Sequence, residues 1–394
     1  MTFRFCIARL PHIEFGPGAI SRLPAILGQY GNRVLVVTGS KSFIETPYWH
    51  TLSAQLTLAR TEWELIHVVE EPSPTLVDAA VRQLRSTSFD AVIGIGGGSA
   101  LDAAKAIAGL LKPGNSVMDH LEGVGPELPY LGPSTPFIAV PTTAGTGSEA
   151  TKNAVLSQHG EAGFKKSFRD EKLVAEYAIV DPDLLATCPP AIIAANGMDA
   201  FTQLLESYVS TNANPFTDAL AISGMEAVRD SLLPWYEGNG ETSGYRTDMA
   251  YAALLSGITL AQVGLGSVHG LAAPLGAFFP IPHGAACGTL VAEATRTNIS
   301  ALLERAPDRR TLGKYADVGR LLTEKSLSDE ASHEALLHTL EDWTRRLDIP
   351  RLGHYGITSN DLPRIVANSR GSSMKTNPVV LSDQEIARLV NARL

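Results

Sequence analysis

Short apolar stretches alternate with segments of helical spacing over the first 180 residues. Four of these stretches are bounded by turn residues and are predicted to be strands, at 33–39, 63–69, 90–95 and 137–140. Between them, apolar residues recur at helical spacing, as in 76–84 and in the alanine-rich segment 101–111. Strands that alternate with crossover helices predict an α/β domain with a doubly wound parallel sheet.

The pattern changes at about Pro189, and helical spacing dominates from there on. The predicted helices include 191–210, 217–233, 247–260 and 289–303. One later helix looks exposed, so its His333 and His338 are interpreted as surface residues. We therefore predict two domains, an α/β domain at 1–185 and an all-α domain at 186–394. We expect them to pack closely, with a ligand-binding cleft between them.

Composition and charge exclude several classes of protein. The chain of 394 residues is 44% hydrophobic and 19% charged, which is typical of a globular protein. Its net charge of −9, with no basic block, argues against a nucleic-acid partner. Cys6, Cys188 and Cys287 are far apart, which argues against a disulfide framework and for a cytoplasmic location. The sequence shows neither a signal-peptide pattern nor an apolar stretch of membrane-spanning length.

A glycine-rich loop follows the third predicted strand. Gly96, Gly97 and Gly98 end the strand, Ser99 begins a helix, and Asp102 lies on its first turn. Glycines let the backbone approach an anion, and a helix N-terminus favours negative charge, so a pyrophosphate would suit this loop. The loop does not match the GxGxxG fingerprint, and a tight turn without a ligand explains it equally well.

A second loop, after the fourth predicted strand, concentrates hydroxyl groups. Thr142, Thr143, Thr146 and Ser148 lie within seven residues that also contain two glycines. Hydroxyl groups at the carboxyl end of a strand suit contacts with phosphate, ribose or nicotinamide. Turns rich in Ser and Thr also occur for structural reasons. Two such loops after neighbouring strands predict a dinucleotide site.

Four segments resemble motifs of the iron-containing (group III) alcohol dehydrogenases, in the family's order and spacing. They are GGGSALDAAK (96–105), PTTAGTGSE (141–149), GMDAFTQLLESYVS (197–210) and HGLAAPLGAFFPIPHG (269–284). The resemblance implies a nucleotide-binding α/β domain and an all-α domain, in the superfold that dehydroquinate synthase also has. It further implies a divalent metal, Fe²⁺ or Zn²⁺, and NAD- or NADP-linked interconversion of a small alcohol with its aldehyde or ketone.

The resemblance also implies a set of metal ligands. Asp199, Gln203, His269 and His283 match the ligand positions, and Asp199, His269 and His283 form the expected catalytic set. Residues four apart share a helix face, so Asp199 and Gln203 can face one ion. The family usually has histidine where Gln203 stands, and an amide oxygen is a poorer donor for Fe²⁺ or Zn²⁺. Either a weaker four-ligand site or a metal-free site follows, and we expect the former because the other three ligands are kept. Ala273 replaces a histidine that relays protons in many relatives.

The end of the first predicted strand bears on the choice of cofactor. Relatives that prefer NAD place an Asp there, which binds ribose hydroxyls and repels a 2′-phosphate. This chain has Gly39, with Ser40 and Lys41 beside it. We expect NADP to be tolerated and slightly preferred over NAD. Lys41 is equally well explained as the solvated start of a helix.

Other functions and the assembly remain to be weighed. An enzyme like maleylacetate reductase shares the scaffold without requiring metal; Gln203 favours this alternative and the other three ligands argue against it. A lyase like dehydroquinate synthase fits the motifs less well, and the cofactor loops argue against a non-catalytic binding protein. Relatives are commonly dimers or larger, and the alternating segment 3–15 could form an edge strand that pairs with a second subunit. We expect a homodimer or a larger homo-oligomer.

Overall fold

The computed structural model describes residues 4–160, 163–239, 241–305 and 308–394. The chain divides into two compact units, an α/β unit at Ile7–Cys188 and a helical unit built on Pro189–Leu394. The predicted domain boundary after residue 185 stays a prediction.

A six-stranded parallel sheet is the centre of the α/β unit. The strands of this unit are β1 (His12–Phe15), β2 (Arg33–Gly39), β3 (Glu62–Val68), β4 (Ala91–Gly96), β5 (Phe137–Pro141), β6 (Asn153–Gln158), β7 (Phe164–Arg169) and β8 (Tyr177–Val180). The order in the sheet is β1-β8-β5-β4-β2-β3, and every neighbouring pair is parallel. This confirms the predicted sheet. The sequence analysis did not predict β6 and β7, which form a separate antiparallel pair.

Helices cover both faces of this sheet. They are α1 (Leu23–Leu27), α2 (Pro47–Leu58), α3 (Pro74–Leu84) and α4 (Gly98–Leu110). The α1 and α2 helices pack on one face, with Val34 and Ile93 in the shared core. The α3 and α4 helices pack on the other, with Leu35 and Val92. Because both faces are buried, the central strands are continuous apolar runs. From β2 the chain continues to β3 on one side and then to β4 on the other side, so the order of the strands changes direction between β2 and β4. Ligands of such sheets bind beyond the carboxyl ends of the strands at this point.

The N-terminal alternating segment contributes an edge strand, as predicted. Residues of β1 pair in parallel with β8 of the same chain, with His12 opposite Tyr177 and Phe15 opposite Val180. The partner found for β1 is thus a strand of its own sheet. Pairing with a second subunit stays a prediction, and Phe3, where the segment begins, lies outside the described residues.

The helical unit contains no strand among its described residues, as predicted. Its helices are α5 (Pro190–Val209), α6 (Pro215–Tyr236), α7 (Ser243–Val263), α8 (Ser267–Phe278), α9 (His283–Arg305), α10 (Arg309–Thr323), α11 (Asp329–Arg346), α12 (Leu362–Asn368) and α13 (Asp383–Asn391). The α5 helix is almost wholly buried from Ile193 onward. The interpretation of His333 as a surface residue is wrong, because its buried ring places Nε2 2.8 Å from the carbonyl oxygen of Leu312.

Within the described part of the chain, no single helix has the length and apolar character needed to cross a membrane. The α7 and α8 helices pass such a test only as a pair bent by 101°.

Candidate metal centre and cofactor loops

Four potential metal ligands converge in the helical unit. They are Asp199 on α5, His269 on α8, and His283 and Cys287 on α9, and their ligand atoms all lie within 4.8 Å of one another. Nε2 of His269 is 3.2 Å from Oδ1 of Asp199, and Nε2 of His283 is 3.7 Å from the same oxygen. Sγ of Cys287 is 3.7 Å from His269 Nε2 and 3.9 Å from His283 Nε2. The structure thus brings three of the predicted ligands together and adds Cys287.

Two glycines allow α9 to approach α5 beside Asp199. A Cβ atom on Gly284 would lie 2.3 Å from the carbonyl oxygen of Ala195, and one on Gly288 would lie 3.0 Å from Cβ of Met198. No larger side chain fits at Gly284 without a shift of the backbone. Since Gly284 directly follows His283 and Gly288 directly follows Cys287, close packing of the two helices sets the positions of both groups.

Glu206 fixes the orientation of His269. Its Oε2 accepts a hydrogen bond from Nδ1 of His269 at 2.6 Å, and its Oε1 accepts one from the backbone N–H of Val268 at 2.7 Å. A histidine that donates its Nδ1 proton to a carboxylate keeps the Nε2 lone pair available for a metal. The sequence analysis missed Glu206, although it lies seven residues after Asp199 and therefore on the same face of α5.

Gln203, the fourth predicted ligand, has a hydrogen-bond partner on α7. The Ser256 hydroxyl donates to Oε1 of Gln203 at 2.7 Å, and the Gln203 side chain is buried. Its role as a metal ligand stays a prediction. Cys287 was counted only as a cysteine in the sequence analysis, although its position one turn after His283 places both side chains on one face of α9.

The electrostatics of the cluster suit a cation. Burial raises the pKa of Asp199, but His283 and His269 outweigh burial and hold this pKa below its usual value. Burial lowers the pKa of His269, but Cys287, Asp199 and Glu206 hold it well above its usual value. A carboxylate, two imidazoles and a thiol form a donor set that fits Fe²⁺ or Zn²⁺.

In the α/β unit, the predicted glycine and threonine loops contact each other. A Cβ atom on Gly98 would lie 2.9 Å from Cγ2 of Thr146, and one on Gly97 would lie 3.2 Å from Oγ1 of Thr143. The glycines therefore leave room for the second loop. Gly98 is the first residue of α4, so backbone N–H groups at the start of this helix are available for an anion.

The remaining predicted cofactor residues lie on the same edge of the sheet. The N–H of Thr142 donates to the carbonyl of Gly96 at 3.0 Å, which joins the ends of β4 and β5. Gly39 is the last residue of β2, which neighbours β4, and Ser40 and Lys41 are exposed directly after it.

A buried lysine holds the threonine loop in place through hydrogen bonds to its backbone. Lys105 is 1% exposed, and its ammonium group donates to the backbone carbonyls of Ser148 at 2.8 Å and Asn153 at 2.6 Å. Asp102 accepts two hydrogen bonds. The Ser148 hydroxyl donates to its Oδ1 at 2.5 Å, and the backbone N–H of Val155 donates to its Oδ2 at 3.1 Å. Asp102 and Ser148 therefore hold the loop together, and their predicted contact with a cofactor stays a prediction.

Comparisons with known proteins agree with this architecture. Residues 11–182 match the family described as iron-containing alcohol dehydrogenase, and residues 193–394 match the C-terminal domain of the Fe-containing alcohol dehydrogenase family. The chain is 30% identical over 389 residues to the NAD-dependent methanol dehydrogenase of Bacillus methanolicus, which covers 98% of both proteins. It is 30% identical over 356 residues to the NADPH-dependent butanol dehydrogenase of Clostridium saccharobutylicum, covering 90% of this chain and 87% of the relative.

A solved structure shows the same fold over the whole length. The crystal structure of a 1,3-propanediol oxidoreductase superposes with a TM-score of 0.90 at 28% identity and covers 100% of both chains. Two family matches that together span nearly the entire sequence show that the chain belongs to the iron-containing alcohol dehydrogenase family.

Proposed function

We propose that Asp199, His269 and His283 hold the divalent ion of this metal-dependent, NAD(P)-linked oxidoreductase, which interconverts an alcohol with its aldehyde or ketone. The observation that supports this assignment is the convergence of Oδ1 of Asp199 with Nε2 of His269 and of His283, at 3.2 and 3.7 Å. These three groups come from three helices and are buried or half-buried. Each of them can offer a lone pair to the same ion. A divalent ion bound there supplies Lewis-acid polarisation of the substrate oxygen.

The neighbouring side chains prepare the cluster for this role. Glu206 holds the Nδ1 proton of His269, so that Nε2 remains the basic nitrogen that faces Asp199. Ala273 is half-buried and carries no titratable group. We therefore assign no side-chain proton relay to this position, and a water chain, the ribose hydroxyls, another side chain or direct exchange with solvent would serve instead. A bound dinucleotide would supply the acceptor for the hydride of the alcohol.

The two loops of the α/β unit bind the cofactor in this proposal. The N-terminus of α4, with Gly97 and Gly98, accommodates the pyrophosphate, while the hydroxyls of Thr142, Thr143 and Thr146 serve the ribose and the nicotinamide amide. Gly39, Ser40 and Lys41 lie at the end of β2, where the adenosine ribose of a dinucleotide is bound in such sheets. The absence of an acidic side chain from these three positions supports use of NADP.

The metal-dependent activity is favoured over a metal-independent one like that of maleylacetate reductase. The carboxylate and both imidazoles are kept and converge. Relatives of the chain include a methanol dehydrogenase, a butanol dehydrogenase and a lactaldehyde reductase. These names support a small alcohol or aldehyde as the substrate.

We also propose a cytoplasmic homodimer or larger homo-oligomer without nucleic-acid or membrane partners. The net charge of −9 and the free thiols of all three cysteines support this environment, and the edge strand β1 offers a pairing surface. Light scattering coupled to size exclusion measures the assembly, and a purely monomeric protein would contradict it.

Metal analysis of the reconstituted protein tests the ligand assignment. The wild type is expected to retain one Fe²⁺ or Zn²⁺ per chain and to lose activity on chelation. Asp199→Asn is expected to lose both the ion and the activity, while NADP(H) still raises its melting temperature. Full turnover by a wild-type protein shown to contain no ion would refute the assignment.

A further inference from the structure

We propose that the Cys287 thiolate is the fourth protein ligand of the ion, in the role that the family resemblance gives to position 203. This proposal rests on the metal site proposed above. It makes the ligand set one carboxylate, two imidazoles and one thiolate, and it assigns Gln203 to the surrounding hydrogen-bond network.

The separations of the donor atoms match a four-coordinate site. An ion held tetrahedrally by bonds of about 2.0–2.3 Å needs ligand atoms about 3.3–3.6 Å apart. The sulfur of Cys287 lies 3.7 Å from His269 Nε2 and 3.9 Å from His283 Nε2. The two histidines lie 3.2 and 3.7 Å from Asp199 Oδ1. These four of the six separations come within a few tenths of an ångström of the required range, and the other two are at most 4.8 Å.

The surroundings of Cys287 differ from those of a cysteine that only fills a core. A structural buried thiol packs among apolar side chains as a small hydrophobic group. Cys287 is 0% exposed, and its sulfur contacts the Nε2 atoms of both histidines. Its position one turn after His283, beside the close contact of Gly284 with Ala195, directs it to the ligand cluster.

Gln203 is the competing candidate, and its contacts favour another role. The buried Ser256 hydroxyl lies 2.7 Å from the amide oxygen of Gln203 and 2.8 Å from the carbonyl oxygen of Ala253. The amide oxygen that would bind the ion therefore already has a hydrogen-bonding neighbour on α7. A thiolate is also a stronger ligand than an amide oxygen for Zn²⁺. The loss of the family's histidine at 203 is therefore compensated from α9.

The proposed ligand set has consequences for the choice of metal. Soft thiolate ligands favour Zn²⁺ over Fe²⁺ more than an imidazole or an amide does. Asp199 and a Cys287 thiolate together neutralise the double charge of the ion. We therefore expect the chain to select Zn²⁺ when both metals are offered at equal concentration.

Cobalt titration tests the proposal with a readout other than activity. Chelator-treated wild type receives Co²⁺ alone, and a sulfur-to-cobalt charge-transfer band in the near ultraviolet is expected. Cys287→Ser should lose this band and bind Co²⁺ at least about 10–100-fold more weakly, since even residues that only support ligands cost that much. Cys6→Ser, Cys188→Ser and Gln203→Ala are the matched controls and should keep the band.

The wild-type spectrum alone separates the two proposals, whatever the folding of the variants. If the wild type binds cobalt without a charge-transfer band, the role of Cys287 is overturned while the metal site stands. If it binds no cobalt, the metal site and the thiolate ligand both fail. X-ray absorption of the zinc-loaded wild type gives an independent check, because a thiolate ligand adds a sulfur scatterer at about 2.3 Å. A shell of only oxygen and nitrogen contradicts the proposal.

Discussion

The two loops proposed to bind the cofactor and the cluster of potential metal ligands are built in opposite ways. Each loop is one continuous segment at the carboxyl end of a strand, and it offers backbone N–H groups and hydroxyls. The ligand cluster draws on three helices, and 70 residues of sequence separate Asp199 from His269. Each arrangement depends on one buried charged residue, Lys105 for the loops and Glu206 for the cluster. The loops, which are local in sequence, are thus held by the long side chain of Lys105. The ligand cluster, which is dispersed in sequence, depends on the Glu206 carboxylate that orients His269.

Replacing Lys105, whose ammonium group binds the threonine loop, should cause the largest loss of unfolding free energy. Lys105→Met leaves the half-buried Asp102 carboxylate without its neighbouring positive charge, and it leaves the carbonyls of Ser148 and Asn153 without their donor. Breaking a buried pair in this way costs about 3–5 kcal/mol. Urea unfolding measures the loss, and Lys112→Met, at an exposed position, is the control. A loss no greater than that of the control contradicts the role of Lys105.

The same loop should make stability depend on pH through Glu149. Burial raises the pKa of Glu149 to about 7, against the opposing effects of its own backbone N–H and Lys105. The folded protein thus holds a proton that the unfolded chain releases near pH 4.5. The contribution of this proton to the free energy of unfolding is complete below pH 4.5, and it is lost as the pH rises through 7. At about 1.4 kcal/mol per pKa unit, the loss is about 3 kcal/mol.

Glu149→Gln should remove this loss. Unfolding free energies at pH 4.5 and pH 8 are the measurement, and Glu45→Gln, at an exposed position of the same unit, is the control. Parallel pH profiles for the wild type and Glu149→Gln would show that Glu149 is ionised throughout.

Glu206, the carboxylate that orients His269 in the ligand cluster, should affect metal affinity. Glu206→Gln removes the charge that holds the Nδ1 proton of His269, so the ring loses its fixed tautomer and orientation. Metal affinity should fall about 10–100-fold, as measured by competition with a chelator. Glu226→Gln, on the exposed face of α6, should bind metal like the wild type. Nucleotide binding should not change, and a selective loss of nucleotide binding would contradict the division of roles.

The smallest effect is expected at the end of β2. A Cβ atom on Gly39 meets nothing closer than Oγ of Ser42 at 3.9 Å, so an aspartate fits there without strain. Its charge repels a 2′-phosphate and its oxygens bind a ribose hydroxyl. Gly39→Asp should shift the ratio of kcat/KM for NADPH over NADH by about tenfold toward NADH. Gly39→Ala separates the effect of size from that of charge, and a wild type that already prefers NADH strongly would contradict the expected use of NADP.

The central fold could be predicted because its strands are buried on both faces. Continuous apolar runs identify β2, β4 and β5 without any knowledge of their neighbours, whereas the edge strand β3 mixes apolar with charged residues. The β6–β7 pair is different, since β7 carries two lysines and an arginine. Such segments become strands only because a neighbouring strand is present to pair with them. That neighbour is not visible in their own residue pattern.

The candidate site divides in the same way. Asp199, His269 and His283 stand in the motifs from which the sequence analysis predicted them as ligands, and the structure brings them together. Glu206 and Cys287 were missed because a glutamate in a helix and an isolated cysteine are ordinary residues. Their importance arises from the packing of α8 and α9 around α5. Their spacings of seven from Asp199 and four from His283 were the available signals, but these spacings carry weight only once the helices are placed.

The internal fastening of the threonine loop has a consequence for the kinetics of cofactor binding. Contacts from Lys105 and Asp102 immobilise the loop when the protein folds, before any nucleotide arrives. A preorganised loop avoids an ordering cost of about 0.5–1.5 kcal/mol for each side chain that would otherwise freeze on binding. Association should therefore follow a single exponential whose rate rises linearly with nucleotide concentration, without a slower isomerisation of this loop.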